Sequence, residues 1–338
     1  MHDLPYFRGL SGKAIATFLL NNAILVLLIA IFIVVGILRQ GFFSLQVLIN
    51  LINNTAPRFI VALGVSGCLI AKGTDLSAGR AVGLAGCIAA TFLQRADYAS
   101  KVYPGIGDIN IILVILGVVL IAAFFGAVNG SVISFLKVPP FIATLGMQTI
   151  IYGICLVFTG AQPIGGLRDD YTRISSGFLF DIRMLPFLGF FALGCGVIMW
   201  FIYNKTAHGK YMYAVGGNEA AAEVNGINTA RTKIIIFSSA GALYGLAGFL
   251  LGAKAGGTSV NLGMGWELEA IAGCTIGGVS TNGGVGRVSG ILVGVLVFEL
   301  LKIAMQFMGI EPSYTYIVQG LVIILAVAVD MRKNVGRK

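Results

Sequence analysis

From Ile109 to Leu136 the chain carries no Asp, Glu, Lys or Arg, and uncharged runs of this kind recur along its length. About 20 apolar residues suffice for a helix to cross the hydrocarbon of a bilayer, where backbone polar groups must be satisfied internally. Runs like these therefore point to membrane-spanning helices. Composition agrees: 57% of the 338 residues are hydrophobic and 11% charged, against roughly 25% charged in soluble proteins. A mean hydropathy of +0.92 is more than one soluble core could hide.

Ten spans can be drawn, some of them broken, giving an all-α polytopic bundle and a single transmembrane domain over residues 1–338. The first, Ala14–Leu38, is too long for the apolar core of a signal peptide and lacks a small-residue cleavage site. An amphipathic connection, Phe42–Thr55, leads to Pro57, which opens a second span to Lys72. After a break at Gly73–Gly79 come Arg80–Leu93, Ile109–Leu136, Phe141–Thr159, Met184–Tyr203 and Ile234–Ala253. A short stretch, Trp266–Gly277, precedes Val288–Met308 and Tyr314–Val329. Pro139 and Pro140 mark a boundary, because the residue before proline avoids helix.

The net charge of +9 does not point to nucleic acid, since no basic helix with interleaved aromatics occurs. Basic residues gather instead in short connections: Arg8 and Lys13; Lys205, Lys210, Arg231 and Lys233; Arg332, Lys333, Arg337 and Lys338. The loop Gly160–Arg183 balances its arginines with aspartates. With ten spans the positive-inside rule puts both termini and the loop 204–233 in the cytoplasm, and Gly160–Arg183 in the periplasm. Five dispersed cysteines read as small hydrophobes, and the two histidines, His2 and His208, form no metal site.

Three segments could carry chemistry. In Gly73–Arg80, Asp75 and Ser77 could cap the following helix, and Arg80 could neutralise Asp75 or anchor at an interface; the stretch is either a capped, solvated turn or part of a translocation path. The second break, Gly277–Arg287, holds Ser280 and Asn282 among glycines that admit close backbone approach. No G-x-x-x-x-G-K-[ST] loop occurs anywhere, so any ATP hydrolysis must belong to another subunit, and no nucleophile–base pair marks an enzyme. In the third segment Asn218 is a candidate N-cap, the alanines after it favour helix and Gly226 supplies the stop. Asn129, Thr144 and Gln148 are intramembrane polar residues that would line a hydrophilic path or bond between helices. Glu267, Glu269, Glu299 and Lys302 fall near span ends and read as interfacial anchors, with Glu299 and Lys302 spaced to neutralise each other. Gly126/Gly130, Gly241/Gly245, Gly248/Gly252 and Gly286/Gly290/Gly294 have the small-xxx-small spacing of close helix crossings.

One internal echo stands out. Gly67-Cys68 through Arg80–Gly83 matches Gly273-Cys274 through Arg287–Gly290 with one gap, which is either chance in glycine-rich sequence or a duplicated broken helix.

Gly73-Thr74-Asp75-Leu76-Ser77-Ala78-Gly79, Pro140–Gly146, Gly216-Gly217-Asn218-Glu219-Ala220-Ala221 and the glycine run Gly277–Gly286 occur in this order. Together they resemble the permease subunits of bacterial ABC importers for monosaccharides, of the ribose/galactose type. Thr74 and Arg80 are most similar to the galactose/methyl-galactoside branch. The resemblance implies an inner-membrane permease that pairs with a second permease chain, a homodimer. A tandem-domain ABC ATPase would dock from the cytosol, using ATP and Mg, and a periplasmic sugar-binding protein would deliver substrate. No cofactor is implied on this chain. The ATPase-coupling helix of the family falls on Gly217, Asn218, Glu219, Ala220, Ala221 and Gly226. Gly226 lies one residue later than in the wider importer pattern. Asp75, Ser77, Asn129, Thr144, Gln148, Ser280 and Asn282 are the candidates for the translocation path. Ribose or another monosaccharide, or an ion-coupled secondary transporter, are the alternatives.

Overall fold

The computed structural model describes residues 23–182 and 185–335. The expected span start at Ala14, the basic residues Arg8, Lys13, Arg183, Arg337 and Lys338, His2 and Met184 lie outside them. All ten apolar runs are helices: α1 (Ala23–Leu38), α2 (Leu45–Ile70), α3 (Ala78–Phe92), α4 (Ile111–Phe135), α5 (Pro140–Thr159), α7 (Phe187–Lys205), α10 (Thr229–Ala255), α11 (Trp266–Ile276), α12 (Val288–Phe307) and α13 (Pro312–Val335). Three more helices lie between them: α6 (Asp169–Ser176), α8 (Ala207–Gly217) and α9 (Glu219–Val224).

Among the described residues, six helices are long and apolar enough to cross a membrane: α2, α4, α5, α7, α10 and α12. Ile29–Leu38, Ala78–Phe92 and Ser313–Leu325 are shorter apolar stretches. At 1.5 Å per residue, the 11 residues of α11 fall well short of a bilayer core of about 30 Å. Uncompensated apolar side chains such as Leu113, Leu120, Phe124 and Val157 cover the outside, as a lipid-facing surface requires.

Two expected boundaries move. Phe42–Thr55 is no separate connection: α2 runs through Pro57 as one helix of 26 residues. Proline removes the N–H that Asn53 O would accept, and Lys254 Nζ donates to that carbonyl instead (3.2 Å). Arg58 NH1 also donates to Asn54 O (3.1 Å). The 204–233 segment is largely helical, since α10 begins at Thr229 rather than Ile234, with Asn228 as its N-cap.

The buried centre is α10, which packs chiefly on α4, α3 and α2. Gly241 and Gly245 meet the α4 backbone at Ala122 and Val118, and Gly126 and Gly130 meet α10 at Phe237 and Ile234, so two of the small-xxx-small pairs face each other. The five cysteines are buried and free.

The two ends of the bundle differ. At one end the loops are laced together by antiparallel bridges between Gln94 and Leu167 and between Ile164 and Thr258. Gln94 strengthens that lacing by donating to Gly165 O and accepting from Val102 N–H, both at 2.8 Å. The Tyr171 hydroxyl of α6 ties it to α10 through Phe249 O (2.7 Å). The other end holds both breaks, α8 and α9.

Candidate functional site

The first break is a buried polar knot. Asp75 Oδ1 accepts from the Ser77 backbone N–H (3.0 Å) and from Ser77 Oγ (2.6 Å). Ser77 Oγ in turn accepts from Asn129 Nδ2 on α4 (3.0 Å). Thr144 Oγ1 on α5 accepts from Leu76 N–H (3.1 Å) and lies 3.1 Å from Thr74 O and 2.9 Å from Pro140 O. Asp75, Ser77, Asn129 and Thr144 are all buried. The expected helix cap is therefore corrected: Ser77 occupies the N-cap position of α3 without a side-chain cap bond, because its hydroxyl is engaged by Asp75. Arg80 is not the counter-charge of Asp75 either. Its guanidinium donates to Val260 O (3.1 Å) and lies over the Tyr152 ring at 4.1 Å.

The second break approaches the first closely through its backbone. Gly284 N–H donates to Ile70 O, the last residue of α2 (2.8 Å). A Cβ on Gly216, near the end of α8, would overlap that same carbonyl. Tyr213 of α8 donates to Gly286 O (2.8 Å), and burial raises its phenol above the ordinary range, keeping it a neutral donor. Three motifs that are distant in sequence thus form one junction.

From this junction α9 projects. Asn218 caps it, its side chain accepting from Ala221 N–H (3.0 Å). It ends where Ile227 N–H reaches back to Ala222 O (3.1 Å), with Gly226 at φ +79°. Glu219 pairs with Lys233 of α10 at 2.6 Å, and Glu223 Oε1 accepts from Thr229 Oγ1 (2.6 Å). Ala222 faces inward, while Ala220, Ala221 and Val224 are exposed, Val224 at 89%. The helix is anchored on one side and presents a small apolar face on the other.

At the opposite end of the same helices lies a charge cluster. Glu269 Oε2 on α11 is 3.1 Å from Arg58 Nε on α2 and 2.7 Å from Lys302 Nζ on α12. Glu299 lies 3.5 Å from Arg58 and 3.8 Å from Lys302. Arg58 also stacks over Trp266 at 4.6 Å. The reading of Glu269, Glu299 and Lys302 as separate interfacial anchors is thereby corrected: the buried Glu299 and Lys302 and the half-buried Glu269 form one cluster with Arg58 that ties α2, α11 and α12 together. Glu299 and Lys302 are neighbours as expected, yet Glu269 is the closer partner of Lys302. Glu267 is buried as well, against Gly79 of α3.

Of the seven path candidates, the structure joins Asp75, Ser77, Asn129 and Thr144 in one network. Gln148 is half-buried elsewhere on α5. Ser280 is buried and accepts from Asn282 N–H (3.2 Å), and Asn282 is exposed. Sequence reasoning missed Arg58 and Lys254, although a charge inside an apolar run is itself a signal.

The family described as branched-chain amino acid transport system / permease component matches residues 47–327. The chain belongs to this permease family. The permease is 40% identical over 98% of its length to the galactose/methyl galactoside import permease protein of Escherichia coli (strain K12), covering 99% of that protein. It is 40% identical to the protein of the same description from Haemophilus influenzae, over 94% of this chain and 96% of that one. The ribose import permease protein of Haemophilus influenzae is 32% identical over 95% of this chain and 96% of its own length. No solved structure matches the permease. It is a multi-pass membrane permease of the import type.

Proposed function

We propose that the permease carries galactose or methyl galactoside inward across the bacterial inner membrane as one subunit of an ATP-driven importer. Its similarity to galactose/methyl galactoside import permeases over nearly the full length supports that substrate. Both termini lie in the cytoplasm in this reading, a second copy completes the path, a sugar-binding protein delivers from the periplasm, and a tandem-domain ABC ATPase docks on α9. That ATPase, not this chain, binds ATP with Mg and hydrolyses it.

The observation that carries the coupling role is the junction itself. α9 follows α8 directly, and the end of α8 touches Ile70 and Gly284, so force on α9 reaches both breaks through direct backbone contact. Translocation is then a shift between inward- and outward-open populations, driven by partners that bind the two states unequally. The bonds of Asp75, Ser77, Asn129 and Thr144 would be exchanged as the first break moves, with Gln148, Ser280 and Asn282 at the margins of the path. Sugar selectivity comes mainly from the binding protein, because a tight site in the membrane would slow release.

Proteoliposomes holding the permease, the ATPase and the binding protein should accumulate labelled galactose only with ATP. Uptake driven by a proton or sodium gradient alone would instead establish a secondary transporter. Stronger competition by ribose than by galactose would assign the ribose branch. A complex without the binding protein that still preferred galactose at full rate would overturn the selectivity argument. Glu219→Arg or Ala220→Trp should reduce ATPase copurification while membrane insertion persists; unchanged copurification would remove α9 from the docking role.

A further inference from the structure

The two helix–break–helix units end their first helices with the same device. In α2, Lys72 N–H donates to Leu69 O (3.0 Å) and Gly73 N–H to Cys68 O (2.7 Å). In α11, Gly278 N–H donates to Thr275 O (3.0 Å) and Val279 N–H to Cys274 O (2.9 Å). Both place one residue in the left-handed region: Gly278 at φ +84° and Lys72 at φ +60°. Glycine is the inexpensive occupant there, and a side chain costs roughly 1–2 kcal/mol. The chain puts glycine at most of its other left-handed positions. Yet α4 also ends on a left-handed lysine, Lys137 at φ +54°.

These two lysines line one cavity of about 470 Å³, between the ends of α2 and α4, the start of α5 and the side of α9. That volume lies within the usual range for small-ligand pockets, about 300–1,000 Å³. Of the other charges on its wall, Glu219 pairs with Lys233 at 2.6 Å, and Glu223 accepts from the Thr229 hydroxyl, so three lysines face two carboxylates. Lys72 Nζ makes one long bond, to Gly217 O at 3.4 Å. Among the described residues no carboxylate or carbonyl holds the Lys137 ammonium. The N-terminus of α5, with Pro140 in its first turn and no side-chain cap, adds positive potential on the same side.

We propose that this cavity is an anion site, in which Lys72 and Lys137 hold a phosphate group, and that the bound phosphate fixes α9 against the first break. Lysine binds phosphate as a point charge, and Lys72 and Lys137 are exposed on the wall of the same cavity. The phosphate belongs to an anionic lipid headgroup, reached at the ends of two spans, or to a soluble phosphate ester in the cytosol. Its effect on transport rests on the reading of α9 as the ATPase contact; the binding itself does not.

The test uses the full-length permease in nanodiscs. In phosphatidylcholine discs, inorganic phosphate is titrated against chloride at matched ionic strength; in a second arm, phosphatidylglycerol is added to the discs. Binding should raise the unfolding midpoint by at least about 2 °C in one arm. A rise in the first arm assigns a soluble ester, and a rise confined to the second assigns the headgroup. Lys72→Gly/Lys137→Gly should abolish the rise while leaving the unliganded midpoint unchanged or higher, because glycine relaxes both backbones. Lys72→Arg/Lys137→Arg should keep the rise. No rise above chloride in either arm, or a full rise in the double glycine variant, overturns the proposal. ATPase copurification with wild-type permease, measured separately, reports on the docking role independently of this outcome.

Discussion

The α2–α3 and α11–α12 units share a cap, cysteine carbonyls at matching positions and a following arginine, yet their breaks are filled oppositely. The first is filled with side chains, and Asp75, Ser77, Asn129 and Thr144 knit it to α4 and α5. The second is filled with glycine, so its backbone can lie directly on Ile70 and Gly216. The cap is common to helix ends in this chain, since α9 and α12 finish the same way at Gly226–Ile227 and Gly309–Ile310. The first break is knitted by polar side chains, and the second brings its glycine backbone against Ile70 and Gly216. At their far ends the two units are pinned by charge, Arg58 to Glu269 and Glu299.

The largest expected effect breaks that pin. Arg58→Met leaves the carboxylates with Lys302 alone and should cost about 3–5 kcal/mol, read as a lowered unfolding midpoint in detergent. Adding Glu299→Gln should restore much of the loss, since one carboxylate then faces one ammonium; an additive double variant would show that the cluster does not act as a unit. Next, Gly216→Ala should cost about 1–3 kcal/mol through overlap with Ile70 O, while Gly217→Ala, whose Cβ enters open space, should change nothing. Equal effects at the two glycines would contradict backbone contact at the second break. In the first break, Asp75→Ala should cost about 1–3 kcal/mol, and Asp75→Asn, which keeps an acceptor for Ser77, less than half of that. If both were equally damaging, the charge rather than the hydrogen bonds would hold the knot. The smallest effect belongs to the cap of α9: Asn218→Ala should lose about 1 kcal/mol of local stability, visible as faster amide exchange at Ala221.

Much of this was legible in the sequence. Every apolar run is a helix, because a charge-free stretch in hydrocarbon has no other way to satisfy its backbone. The Asn218 cap and the Gly226 stop were readable, since capping is local chemistry within four residues. Pro57 was misread as a helix start, because the donor that replaces its missing N–H, Lys254, comes from α10. Arg80 and Asp75 are close in sequence, yet Arg80 bonds to Val260 O on a distant segment while Asp75 bonds to its near neighbour Ser77.

The sequence by itself determined the membrane class, the helices, the Asn218 cap and the motifs that carry the family resemblance. All of these follow from hydropathy and from bonds between near neighbours. Only the tertiary structure decided that the two breaks and α8 meet at one point, that Glu269 joins Arg58 to Lys302, and that two left-handed lysines share a cavity. Such juxtapositions depend on which helix faces touch. A glycine-rich apolar chain offers many nearly equivalent faces, and the few buried polar groups select among them because leaving them unpaired in the membrane costs too much.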